Sequence, residues 1–120
     1  VARKARHELL YDGCYAHVFS RALEKQRIFE GEDDFLAFKK LLLRAKGENG
    51  LLIHHYCLMN THFHLAVSIP SVASFSRGLQ AVKSRYTAYF NKKYRHEGPL
   101  WRERFRSLIT LETHKKLCYA

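Results

Sequence analysis

Two apolar runs, 51–59 and 62–69, are separated only by Asn60-Thr61, and this spacing constrains the fold more than any other feature of the chain. A two-residue link leaves no room for a crossover connection, so the runs must pair as an antiparallel hairpin. Asn-Thr is a weaker turn pair than Asn-Gly, but the link still sets a register. Met59 falls opposite His62, Cys57 opposite His64 and His55 opposite Ala66. Alternation then gathers Leu58, Phe63, Leu65 and Val67 into one buried layer.

The flanking sequence supplies the other elements. Residues 13–20 are rich in strand formers and follow a turn-like Asp12-Gly13. Residues 32–44 read as a helix: Glu32, Asp33 and Asp34 suit its positive end, and Phe35, Phe38, Leu41 and Leu42 recur at helical spacing. Gly47 and Gly50 are expected to break it. After Pro70 a long amphipathic helix is expected over 72–94. Its apolar stripe is Phe75, Leu79, Val82, Tyr86 and Tyr89 or Phe90, with Arg77, Lys83, Arg85, Lys92 and Lys93 on the remaining surface. Gly98-Pro99 makes a turn, 105–111 alternates as a last strand, and a helix is expected to start near Glu112. The order strand, helix, strand, strand, helix, strand is a split βαβ pattern. It predicts an α+β, ferredoxin-like (RRM-like) sandwich: one domain over 1–120, with an antiparallel sheet and helices on one face.

Hydrophobic residues make up 47% of the 120-residue chain, which excludes a disordered polymer. No apolar run approaches the roughly 20 residues of a bilayer span, so no membrane partner is expected. The basic start lacks an apolar segment behind it, and Cys14, Cys57 and Cys118 are an odd number without CxxC spacing. Those features predict a reducing cytoplasm. The formal net charge is +10 and lopsided: from Arg77 to Lys116 there are 11 basic and 3 acidic residues. Such a cationic half favours a polyanionic partner, nucleic acid first.

His62-Phe63-His64 is the sharpest chemical signal. Two strand steps of about 3.3 Å bring both imidazoles to one face, within reach of one ion, while Phe63 points into the opposite layer. Two ligands are too few for a closed structural site, which leaves room for a third ligand and a substrate oxygen. Imidazole does not identify the metal. By the register above, His55 and Cys57 border the pair. His17, His54, His55 and Cys57 otherwise read as ordinary strand residues, with hydrogen-bonded imidazoles and a small apolar thiol. Trp101 followed by Arg102, Arg104 and Arg106 mixes an aromatic with alternate cations. That string either stacks a base and tracks phosphates, or packs the Trp and solvates the arginines. Arg85, Lys92 and Lys93 are candidate phosphate contacts on the long helix.

The stretch from Tyr56 to Leu65, Tyr-Cys-Leu-Met-Asn-Thr-His-Phe-His-Leu, resembles the segment holding the HUH motif (His, hydrophobe, His) of the REP-associated tyrosine transposases, single-tyrosine HUH enzymes. Three further stretches agree in order: His17 to Arg21 through Ile28-Phe29, Tyr86 to Asn91, and Gly98 to Trp101 through Arg104 to Ser107. The resemblance implies a transposase and single-strand endonuclease that cleaves and rejoins single-stranded or hairpin DNA. It implies a divalent metal, Mg or Mn, with His62 and His64 as ligands. It further implies a tyrosine nucleophile that forms a 5′-phosphotyrosine bond, and a homodimer in a bacterial, nucleoid-associated setting. The family's nucleophile lies on a helix after the last strand. By spacing from Trp101 it falls here at or just beyond the chain end, so the chain is expected to lack its tyrosine helix, with Tyr119 the candidate inside it. The alternative is a non-catalytic nucleic-acid-binding module of the same fold. A phosphodiesterase using water would need strand-borne acidic ligands, and these are nearly absent.

Overall fold

The Asn60-Thr61 hairpin forms as its spacing requires. In a computed structural model that describes residues 10–110, it joins strands β2 (Leu52–Met59) and β3 (His62–Ile69). The register is the expected one: Met59 pairs with His62, Cys57 with His64 and His55 with Ala66. A bulge between Ile53 and His55 shifts the far end of β2, so that Leu52 pairs with Ser68.

Strand β1 (Cys14–Arg21) lies against β3, and β4 (Arg106–Thr110) lies against the other side of β1. The sheet order is β2-β3-β1-β4, with every pairing antiparallel. With helices α1 (Glu32–Asn49) and α2 (Val72–Tyr94) between strands, this is the expected split βαβ sandwich. One face of each inner strand is buried. Cys14, Ala16, Val18 and Ser20 of β1 and Phe63, Leu65, Val67 and Ile69 of β3 face the helices. Tyr15, His17, Phe19 and Arg21 alternate with them on the open face.

Helix α1 begins with three carboxylates in its first turn and ends at Gly50 in the left-handed conformation (φ 66°), whose N–H reaches the Lys46 carbonyl. It runs through Gly47, because a single internal glycine costs only about 1 kcal/mol. The helix therefore extends five residues beyond 44, and of the two expected breakers Gly50 is the one that ends it. In α2, Ser71 caps the first turn by accepting from the Ser74 N–H at 3.3 Å. Its stripe of Phe75, Leu79, Val82, Tyr86 and Phe90 is buried. Phe38, Phe63 and Tyr86 meet at the centre, with ring centroids 5.0 Å apart for Phe38–Phe63 and 5.3 Å for Phe38–Tyr86. Truncating Phe38 to alanine would cost about 3–5 kcal/mol.

Lys83 departs from the sequence expectation, because it is buried rather than on the polar surface. Its ammonium donates to the carbonyls of Glu103 (2.6 Å) and Arg104, in the turn that enters β4. A buried ammonium persists where such acceptors replace water. The sequence also gives no sign of the single 3₁₀ turn at Leu23–Lys25, where Glu24 (φ 52°) and Lys25 (φ 57°) both adopt left-handed backbone.

Candidate functional site

The open face of the sheet concentrates the histidines. His62 and His64 project from the same side of β3, with ring centroids 5.0 Å apart, and Phe63 between them is buried in the opposite layer. The turn that starts β3 is held from outside: Ala22 N–H donates to the Thr61 carbonyl (2.8 Å) and Ile28 N–H to the Asn60 carbonyl (2.7 Å). Tyr86 in turn donates its hydroxyl to the Ile28 carbonyl. The histidine pair is thus built on a hairpin end anchored to the core.

Each imidazole of the pair has one nitrogen engaged by the protein. His62 Nδ1 lies 3.1 Å from Thr61 Oγ1, and His64 Nδ1 lies 2.9 Å from His17 Nε2. Burial lowers the His64 pKa below its ordinary value, and the neighbouring imidazoles of His17 and His62 lower it further. Burial alone lowers that of His17. Lowered values favour the neutral ring, the form that ligates a metal. Among the described residues no three His, Cys, Asp or Glu side chains are grouped so as to hold an ion. His62 and His64 thus fit an ion only as an open pair, with Nε2 of each the nitrogen not engaged by a protein hydrogen bond, so that further ligands have to come from elsewhere. Cys57 and His55 lie across β2 at the expected register, but Cys57 donates to Met59 Sδ (3.5 Å).

Beside His62 the surface sinks into a cavity of about 510 Å³, walled by Arg21, Glu24, Lys25, Thr61, His62 and Arg102. That volume is in the range of ligand sites. Its rim includes the two left-handed residues Glu24 and Lys25, a conformation that costs a non-glycine residue of order 1 kcal/mol. Arg21 is tied to Glu103 through two hydrogen bonds of 3.2 Å each, so part of its charge is met inside the protein.

The remaining candidates separate into two layers. Arg106 pairs across from Phe19 and is exposed on the histidine face; Arg102 and Arg104 are exposed in the segment leading to it. Arg85, Lys92 and Lys93 stand on α2, in the helix layer behind the sheet. Arg85 meets Glu48 at 3.3 Å, and Lys93 meets Asp34 at 2.8 Å. Trp101 belongs to the core. Its ring packs edge-on against Phe63 (5.5 Å), its indole N–H donates to the Lys83 carbonyl (3.2 Å), and the Lys83 ammonium lies over it at 5.1 Å. Of the two readings of Trp101, the packing contacts are the ones seen within the chain, and the ring is half-buried. Tyr119 lies outside the described residues. Sequence reasoning passes over His17 and Lys25 as site residues; only the strand order and the turn at Leu23–Lys25 bring them to His64 and His62.

Among the described residues no helix is long and apolar enough to cross a membrane. The chain matches no curated protein sequence at a significant level. Two solved structures share the fold. One, a REP-associated tyrosine transposase bound to a REP hairpin, superposes with a TM-score of 0.76 at 12% identity, covering 99% of this chain and 68% of that one. The other is a protein from Deinococcus radiodurans R1 described as a candidate transposase. It gives a TM-score of 0.66 at 18% identity, covering 98% of this chain and 92% of its own. At such identities the likeness concerns the fold. The family model described as "Transposase IS200 like" matches residues 10–117, which takes in the whole sheet, both helices and the histidine hairpin. With that span matched, this chain belongs to the IS200-like transposase family.

Proposed function

We propose that the chain is one catalytic domain of a transposase that cleaves and rejoins single-stranded DNA, hairpin-bearing strands included, through a 5′-phosphotyrosine intermediate. The observation that carries this reading is the His62–His64 pair, on an open sheet face of a chain matching the transposase family over residues 10–117. A divalent ion, Mg or Mn, held there would polarise the scissile phosphate. The hairpin anchors hold the backbone that carries both rings, and Thr61 Oγ1 and His17 Nε2 meet one nitrogen of each, which limits the reorganisation needed at the reacting phosphate.

The strand would lie along the exposed cations Lys25, Arg102, Arg104 and Arg106, whose charges track phosphates without reading sequence. That the related transposase is bound to a REP hairpin supports DNA as the partner. Arg85, Lys92 and Lys93 would act as a more distant field from the helix layer. The nucleophile is a tyrosine hydroxyl, for which Tyr119 is the candidate within residues 1–120. Its oxygen bonds the phosphorus as the bond to the 3′ oxygen breaks; the phenol gives up a proton and the departing 3′ oxygen gains one. The new bond keeps the phosphodiester's energy, so rejoining needs no ATP. We place the protein in a bacterial cytoplasm at the nucleoid, acting as a homodimer; exposed Leu52, Tyr56 and Met59 on the edge strand β2 are compatible with self-association.

The test is a denaturing gel with labelled hairpin-bearing single strands, Mn, and protein carrying a tyrosine helix. A covalent protein–DNA adduct is expected. It should vanish in His62→Ala and in His64→Ala, each of which should also weaken Mn binding at least tenfold by calorimetry. Loss of the adduct in Tyr119→Phe would assign the nucleophile to Tyr119. DNA binding without any adduct would favour a non-catalytic module.

A further inference from the structure

We propose that His17 is a positioning residue for His64. It holds the His64 ring by Nδ1 and thereby commits Nε2 to the metal. The proposal rests on the two-histidine metal reading above and deepens it.

The placement follows from strand order. β1 lies beside β3 with Phe19 opposite His64 and His17 opposite Ala66, so His17 is the diagonal neighbour of His64 on the open face. At that position His17 Nε2 and His64 Nδ1 are 2.9 Å apart. Between two neutral imidazoles in contact, one nitrogen donates and the other accepts. A neutral imidazole ligates a metal through the nitrogen that carries no proton. If His64 is to ligate through Nε2, its proton must sit on Nδ1 and be donated to His17 Nε2. Phe19 adds a second restraint, stacked on the His64 ring at 5.5 Å with planes 27° apart, which opposes rotation of the ring. His62 repeats the pattern locally, with Nδ1 on Thr61 Oγ1, so both histidines offer the same nitrogen. Partners of this kind fix the tautomer and raise ligand basicity, and their loss typically lowers metal affinity 10–100-fold. A role as third ligand fits less well. His17 Nε2 already faces His64, and no three such side chains among the described residues group around a possible ion.

Long-range ¹⁵N NMR of the metal-free protein reads the tautomer directly, and Mn calorimetry reads the consequence. Two variants separate positioning from packing: His17→Phe keeps a ring but no acceptor, and His17→Gln keeps an acceptor. In the wild type, His64 should be protonated on Nδ1. In His17→Phe the proton should move towards Nε2 and Mn affinity should fall 10–100-fold, with the urea midpoint checking that the variant is folded. His17→Gln should restore affinity to within about threefold of wild type. A wild-type His64 protonated on Nε2 would overturn the proposal, and this holds even if His17→Phe does not fold. Unchanged Mn affinity in a folded His17→Phe would overturn it as well. Pulsed EPR that counts three coupled imidazoles on Mn, falling to two in that variant, would make His17 a ligand instead. A wild type that binds no Mn, whatever its tautomer, defeats the metal reading itself.

Discussion

Asp34 is fully buried near the start of α1 and gathers four donors: Tyr89 Oη at 2.7 Å, Lys93 Nζ at 2.8 Å, Tyr94 Oη at 2.5 Å and the Glu30 N–H at 2.9 Å. Burial by itself would raise its pKa. The hydrogen bonds from Lys93, Tyr94, Tyr89 and Glu30 outweigh burial and bring it from 3.8 down to about 2. Because the folded value lies below the unfolded one, the carboxylate stabilises the fold above pH 4, and this contribution is lost as pH falls towards 2. The difference is worth about 2 kcal/mol at neutral pH, roughly half of that at pH 3, and little at pH 2. Asp34→Asn keeps the shape and removes the charge, so it mimics the protonated acid. Urea unfolding followed by circular dichroism should show the variant about 2 kcal/mol less stable at pH 7, with the gap closing as both proteins are acidified. A gap independent of pH would mean that shape, not charge, holds the cluster. A gap below about 0.5 kcal/mol at pH 7 would refute the reasoning outright, given how much a pKa displacement of this size implies.

The same cluster sorts the cations by their function. Replacing Arg104 and Arg106 together by Ala should flatten the salt dependence of single-stranded DNA binding by roughly 1.4 in logarithmic slope, read by fluorescence anisotropy. Lys93→Ala should change that slope far less than the arginine pair and lower the urea midpoint, because its ammonium is held by Asp34; a slope change as large as that of the arginine pair would place Lys93 on the DNA. Gly78→Ala should destabilise by about 1 kcal/mol although alanine is the better helix former, since an added Cβ would lie 2.8 Å from both Asn49 Cβ and Leu51 Cδ1. A stabilised Gly78→Ala would show that α1 and α2 separate easily.

The legible part of the fold is the local part. The two-residue link sets the hairpin register from His55 to Ala66, so the shared face of His62 and His64 follows from the order of residues alone. The bulge at His54 does not, because an extra edge-strand residue leaves the apolar pattern of β2 nearly intact. His17 is recognisable as a strand histidine, but its neighbour depends on β1 lying next to β3, which no spacing within β1 encodes. Lys83 misleads for a different reason. Charge on a helix usually means solvent, and its partners are backbone carbonyls, which leave no trace in composition. Asp34 suits the helix dipole as expected, yet Tyr89, Lys93 and Tyr94 lie more than fifty residues away in sequence.

The direction of β4 imposes a condition on length. Both β3 and β4 run antiparallel to β1, so they run parallel to each other and away from the hairpin turn. Thr110 ends level with Tyr15, whereas His64 is level with Phe19. That is four strand steps, about 13 Å, in the wrong direction for the tyrosine hydroxyl proposed to act at the histidines. A nucleophile encoded after Thr110 therefore needs a return path, about nine residues if the path is helical at 1.5 Å each. A helical tether much shorter than that, or an extended one of fewer than about four residues, would not reach the histidines of its own subunit, so topology sets a lower bound on the spacing between the last strand and the tyrosine before any side-chain chemistry is considered.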